Sequence, residues 1–119
     1  MYFGELNAEG KRHSKGVMVY ANGRRYEGNW KDDVRHGRGY ERHANQNVYI
    51  GEFFEGKVQG HGQFKWANGE EFDGQWVQGV RHGKGIWKGI HSNNVYVGDW
   101  CKNRSEGYGT YTWPNGEFI

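Results

Sequence analysis

Six histidines, a recurring Gly-x-Gly and a scatter of basic residues are the groups in this sequence that could do chemistry. A phosphate cradle needs a glycine-rich loop that opens a helix or continues into Gly-Lys-Ser/Thr. Gly37-Arg38-Gly39, Gly60-His61-Gly62, Gly83-Lys84-Gly85 and Gly107-Tyr108-Gly109 do neither. His36 and His82 hold equivalent positions two repeats apart, about 20 Å at ordinary strand spacing. That is too far to share an ion whose ligands sit at ~2 Å. Cys101 has no CxxC partner, and no Ser–His–Asp or Cys–His set falls in a cleft-forming context. No catalytic residue, metal or cofactor is therefore expected, and the residues point to binding rather than turnover.

Two sets of residues suit binding. Lys11, Arg12, Arg35, His36, Lys57, Arg81, His82 and Arg104 recur around one turn of successive units. Stacked along an edge, they would meet an anionic lipid surface or an acidic protein, at about 1 kcal/mol per basic residue near such a membrane. Asp32, Asp33, Glu55 and Glu106 lie in the same turns and dilute that charge. The second set is aromatic: Tyr26, Trp30, Tyr49, Phe53, Phe72, Trp76, Tyr96 and Trp100. These rings are expected to pack the structure. In a thin sheet part of the stripe would also line a groove for a helical or extended protein partner, or for another copy of the chain.

The elements that would position both sets come from an internal repeat. An aromatic-x-Gly-x-large apolar motif occurs as Tyr2-Phe3-Gly4-Glu5-Leu6, Tyr26-Glu27-Gly28-Asn29-Trp30, Tyr49-Ile50-Gly51-Glu52-Phe53, Phe72-Asp73-Gly74-Gln75-Trp76 and Tyr96-Val97-Gly98-Asp99-Trp100. The Gly-x-Gly segments follow nine residues after the motif glycine, with Ser14-Lys15-Gly16 one residue late in the first unit. Ala21-Asn22-Gly23, Ala67-Asn68-Gly69 and Pro114-Asn115-Gly116 are turn signals, because both Asn and Gly tolerate positive φ. The units run 2–25, 26–48, 49–71, 72–95 and 96–117, and residues 118–119 open a sixth.

Each unit reads strand, turn, strand, turn. With a strand period of two, Tyr26, Gly28 and Trp30 share one face, as do Gly60, Gly62, Phe64 and Trp66. That face is glycine plus aromatic, and the other is polar. A position without a side chain leaves room for a neighbouring ring to lie flat over the backbone. On the polar face, acids of first strands (Glu5, Glu27, Glu52, Asp73, Asp99) would sit beside bases of second strands (Lys15, Arg38, Arg42, Lys65, Lys84, Lys88) and favour the register. No segment has helical periodicity. The expected fold is all-β: an elongated, single-layer, twisted antiparallel sheet of five tandem hairpins, about 45–50 Å long from strand spacing, with contacts mainly between neighbours.

Composition agrees. Leu occurs once and Ile four times, while aromatics make up 17% of the chain, so the apolar area must come from rings. The 21 glycines recur at fixed spacing beside those rings, unlike a disordered low-complexity segment. A net charge of +2 gives no reason to expect a nucleic-acid partner. The lone cysteine suits a reducing compartment, no apolar run approaches the ~20 residues of a membrane helix, and the repeat begins at Tyr2 without a signal peptide. A soluble, cytoplasmic protein is the expectation.

Tyr-x-Gly-x-Trp, then His-Gly-x-Gly, then an aromatic and an Asn-Gly turn resembles the MORN repeat (membrane occupation and recognition nexus). The segments 26–48 and 72–95 match best, and the resemblance covers essentially residues 2–119. It implies a scaffold or interaction module, associated with cytoskeleton, flagella or membranes, with phosphoinositide-type lipids as an alternative ligand. It equally implies a regulatory module of a larger enzyme such as a lipid kinase or a methyltransferase. This sequence departs from the pattern in three places. Glu41 and His43 stand where other units have Phe64 and Trp66, and Tyr40 falls one position off the stripe, so a less packed hairpin or a contact site is expected there. Gly89 occupies the last aromatic slot of the fourth unit, before a longer loop from Ile90 to Asn94. Phe118-Ile119 would belong to a continuing array or meet a partner.

Overall fold

The computed structural model describes residues 1–90 and 94–112. The turn at Pro114-Asn115-Gly116, the start of a sixth unit at Phe118-Ile119 and most of the Ile90–Asn94 loop lie outside them. The strands are β1 (Tyr2–Leu6), β2 (Arg12–Val19), β3 (Arg25–Lys31), β4 (Val34–Arg42), β5 (Val48–Phe54), β6 (Lys57–Lys65), β7 (Glu71–Val77), β8 (Val80–Lys88), β9 (Val95–Cys101) and β10 (Arg104–Thr112). They form one antiparallel sheet in sequence order, five hairpins side by side, with no helix among the described residues. The protein measures 57 × 25 × 17 Å, and its described residues form a single layer.

Turn chemistry sets the hairpins. Asp32-Asp33, Glu55-Gly56, Gln78-Gly79 and Lys102-Asn103 all have positive φ, the two-residue turn whose twist matches flanking strands. The first hairpin has a longer turn in which Asn7 N–H donates to the Lys11 carbonyl at 2.8 Å. That added length explains the late Gly16: in space it is in register, paired with Gly4 and Gly28.

Register lines up ten glycines, one per strand, at Gly4, Gly16, Gly28, Gly39, Gly51, Gly62, Gly74, Gly85, Gly98 and Gly109. Rings lie over this line. A Cβ on Gly74 would stand 2.5 Å from the Gly85 Cα and the Lys84 carbonyl oxygen and 2.8 Å from Phe72. These glycines serve space rather than backbone freedom, since the ten have ordinary φ. Tyr2, Trp30, Tyr26, Phe53, Tyr49, Trp76, Phe72, Trp100 and Tyr96 form an unbroken edge-to-face chain, with centroids 5.0–5.7 Å apart. Such pairs add ~0.5–1.5 kcal/mol each beyond the area they bury.

Beside each glycine pair the second strand bulges, through Ser14, Gly37, Gly60, Gly83 and Gly107 at positive φ. The next backbone N–H donates to a first-strand side chain: Lys15 to Glu5 (3.0 Å), His61 to Glu52 (2.6 Å), Lys84 to Gln75 (2.9 Å) and Tyr108 to Asp99 (3.1 Å). Glu5, Glu52 and Asp99 thus hold the bulge, which is a different task from the charge pairing expected of them. Across strands, Lys84 does pair with Asp99, and His61 lies 2.8 Å from Asp73. The Lys84 ammonium, with the Tyr108 N–H, holds the Asp99 carboxyl below its usual range.

The face away from the rings is not simply polar. Its middle row runs Phe3, Val17, Glu27, Tyr40, Ile50, Gln63, Asp73, Ile86, Val97 and Thr110, and Phe3, Ile86 and Val97 are exposed. Tyr40 sits there because a one-residue offset moves a strand side chain to the opposite face.

Gly74→Val should lower stability by about 3 kcal/mol, the upper end of overpacking costs. Gln63→Val, on the outer face of the adjacent strand, should stay within ~0.5 kcal/mol. Urea unfolding measures both, and an unchanged midpoint for Gly74→Val would remove the ring-over-glycine argument.

Candidate interaction face

The eight aromatic residues expected to line a groove are brought together, but as interior. Tyr26 and Tyr49 are 0% exposed, Phe72 1%, Phe53 3%, Trp30 4%, Trp76 6% and Trp100 7%, while Tyr96 is half-buried. Their polar atoms are used internally. Trp30, Trp76 and Trp100 donate their indole N–H to the carbonyls of Gly16 (3.1 Å), Gly62 (3.1 Å) and Gly85 (3.3 Å) of the preceding hairpin. Tyr26, Tyr49 and Tyr96 donate to the carbonyl three residues on. Burial pushes the Tyr26 and Tyr49 phenols well above their usual range. These side chains are the core, and a partner would meet what stands beyond them.

A half-buried shelf stands there. In the row Met18, Glu41, Phe64, Trp87 and Tyr111, each residue pairs with a first-strand ring. Tyr20, His43 and Trp66 lie one step outward on the same face. Hairpins three to five make this shelf aromatic. Phe64 and Trp66 are 4.7 Å apart, Trp87 stacks on Tyr111 at 6.3 Å, and Trp87 donates its indole N–H to Glu70 at 3.1 Å.

Hairpin two fills the same place with charge, and it is packed rather than loose. Glu41 is 4% exposed. Its Oε2 accepts from Arg24 at 2.6 Å and from Arg35, and His43 Nε2 lies 3.5 Å from Oε1. A carboxylate can be buried here because two guanidinium groups replace its hydration.

The basic residues expected at the turn edge divide. Arg12, Arg35 and Arg81 fold inward over rings: Arg12 over Trp30 at 4.7 Å, Arg35 over Phe53 at 5.2 Å, Arg81 over Trp100 at 4.7 Å. Each also donates to a turn carbonyl of the next hairpin, at Asp33 (3.0 Å), Gly56 (2.8 Å) and Asn103 (2.9 Å). They are staples between units, worth ~0.5–2 kcal/mol each as cation–π contacts. Val58 holds the equivalent position in the third unit and carries only the backbone bond from Gly79 N–H, at 2.8 Å. Desolvation pulls the Arg81 guanidinium below its usual value, and the Arg12 backbone N–H holds the Asp33 carboxyl low. Lys57, His82 and Arg104 remain exposed, Lys11 pairs with Glu9 at 3.5 Å, and His36 lies 5.3 Å from the Phe54 ring. No continuous basic row therefore forms at that edge.

Among the described residues no group of three or more His, Cys, Asp or Glu could hold a metal ion, and no helix is long and apolar enough to cross a membrane. The arginine staples had a signal in the sequence, namely Arg at 12, 35 and 81, steps of 23 and twice 23. Glu41 was visible as a departure, but its partner Arg24 was not, since it lies in the preceding inter-hairpin turn.

Glu41→Ala leaves Arg24 and Arg35 facing each other without their shared anion. Removing one partner of a buried pair costs ~3–5 kcal/mol. With the arginine side chains 34% and 20% exposed, rehydration reduces this to about 2 kcal/mol. Chemical denaturation checks the value, and no loss would mean that the pair contributes nothing net.

Comparison with curated proteins gave no match. Comparison with family models gave five, all to the MORN repeat: residues 2–24, 26–48, 49–71, 72–89 and 96–118. With almost the whole chain matched, and with one hairpin of the sheet per match, the protein belongs to the MORN-repeat family.

Proposed function

We propose that the chain is a non-catalytic interaction module, a scaffold whose protein partner docks on the aromatic face. The observation that carries this is the half-buried ring shelf. Phe64, Trp66 and Trp87 stand outside a core that is already complete, on a sheet 17 Å thin whose described residues supply no second layer. Aromatic side chains left partly exposed beside a rigid support are the usual anchors of protein interfaces. The buried row from Tyr26 to Trp100 acts by holding the shelf in place. Rigidity helps, because a preorganised surface loses little entropy on binding. A partner of this kind includes a second copy, or an enzyme domain that the repeats regulate.

Site-specific photo-crosslinking in cells tests the surface. A benzophenone amino acid at Trp66 or Trp87 should give a defined adduct, and the same group at Ile86 or Val97 on the outer face should not. Adducts from the outer face alone, or from neither, would reject the reading.

A second reading, anionic lipid binding, gains support on the outer face rather than at the turn edge. Arg25, Arg42, Lys65 and Lys88 are exposed in one row across the sheet, interrupted by Val48 and Glu71, beside exposed Ile86 and Val97. Phosphatidylserine vesicles should then bind in a salt-sensitive manner. Arg42→Glu with Lys65→Glu should abolish that binding, while Lys57→Glu with Arg104→Glu should leave most of it. Equal loss in the two double variants would place the lipid contact elsewhere.

A further inference from the structure

The aromatic face changes character along its length, and its charges do not cancel evenly. Arg12 is balanced by Asp33, with Nε to Oδ1 at 3.1 Å. Arg81 lies beside Glu70, whose carboxylate acts on it electrostatically. At hairpin two, by contrast, Arg24 and Arg35 share the single carboxylate of Glu41. Glu41 lies beneath, 4% exposed, and the two guanidinium groups stand nearer solvent. Hairpin two thus carries an uncompensated positive charge beside Tyr20, and hairpins three to five offer rings.

Spacing adds the shape of the occupant. Glu41, Phe64 and Trp87 hold the same place on alternate strands β4, β6 and β8. Two strand spacings are about 9.6 Å. A helix lying across the strands brings residues i and i+7 to one side about 10.5 Å apart. An extended chain returns to one side at about 6.6 Å or 13 Å, and neither matches.

Resting on the docking reading above, we propose that this face takes an amphipathic helix of a partner protein laid across the strands. An acidic side chain of that helix sits on Arg24 and Arg35. Apolar side chains at i+7 and i+14 from it sit on Phe64–Trp66 and on Trp87. The charge excess fixes which end of the helix lies over hairpin two, since the reverse placement sets the acid at Trp87, against the Glu70 carboxylate that accepts its indole N–H. The rings supply the contact area, and the arginine pair supplies direction and partner choice.

A displayed library of Ala-rich helices, randomised at positions i, i+7 and i+14 and selected on the immobilised chain, is the probe. The expected consensus is Asp or Glu at one end position, with Leu, Phe or Trp at the other two. Affinity should fall about tenfold when the acid of a selected peptide is replaced by Lys, a change that leaves the protein untouched. Arg24→Gln should weaken the same peptide similarly, and Trp66→Ala should weaken every selected peptide. A consensus that is apolar at all three positions, or basic at one end, with binding still lost in Trp66→Ala, overturns the acidic anchor and leaves the docking face standing. No enrichment, or binding indifferent to Trp66→Ala, overturns both.

Discussion

The contact on which this molecule depends is an aromatic ring lying on bare backbone. A Tyr or Phe of each first strand covers the glycines of two neighbouring strands, so closely that a methyl group on either glycine would crowd the ring. A single-layer sheet has no second sheet or helix to bury its side chains. Here the sheet's own backbone is the opposite wall of the core. The glycines cost strand propensity, and the ring contacts over them compensate. Space for a ring therefore explains a composition that would otherwise suggest disorder.

That arrangement makes each unit incomplete without its neighbour. Trp76 bonds a glycine carbonyl of the previous hairpin and touches Tyr49 of that hairpin at 5.6 Å, while it also packs on its own Phe72. Arginine staples tie the turns in the opposite direction, each donating to the next hairpin, and the third unit, with Val58, lacks one. Coupling of this kind is one-dimensional, so a local change is felt most by the adjacent units.

The two faces have different chemistry because the core rings use only one of them. Beyond the buried row, the aromatic face bears a shelf that is charged in hairpin two and apolar in hairpins three to five. The outer face mixes apolar residues such as Phe3, Ile86 and Val97 with charged and polar ones in the same rows. The repeat supplies the spacing, and departures from the repeat supply the identity of the surface. Glu41 puts a carboxylate where other units have a ring, and Val58 stands where Arg12, Arg35 and Arg81 form staples.

Period and parity were legible in the sequence, because both are local. The glycine steps announced five hairpins, Asn-Gly marked turns between them, and alternation placed Tyr26, Gly28 and Trp30 on one face. Other features were not local, and only the tertiary structure decided them. Arg12, Arg35 and Arg81 looked like exposed turn charges, yet each lies over a ring one hairpin away, a contact made only once strands pair. Glu41 looked like a defect in the stripe, yet Arg24 from the preceding turn makes it a packed part of the shelf. The aromatic residues looked able to serve as both core and groove, and depth beneath neighbouring hairpins assigned them to the core. Sequence spacing determines which face a strand residue occupies. How deeply it lies, and which distant charge meets it, depends on strands far apart in the chain coming side by side.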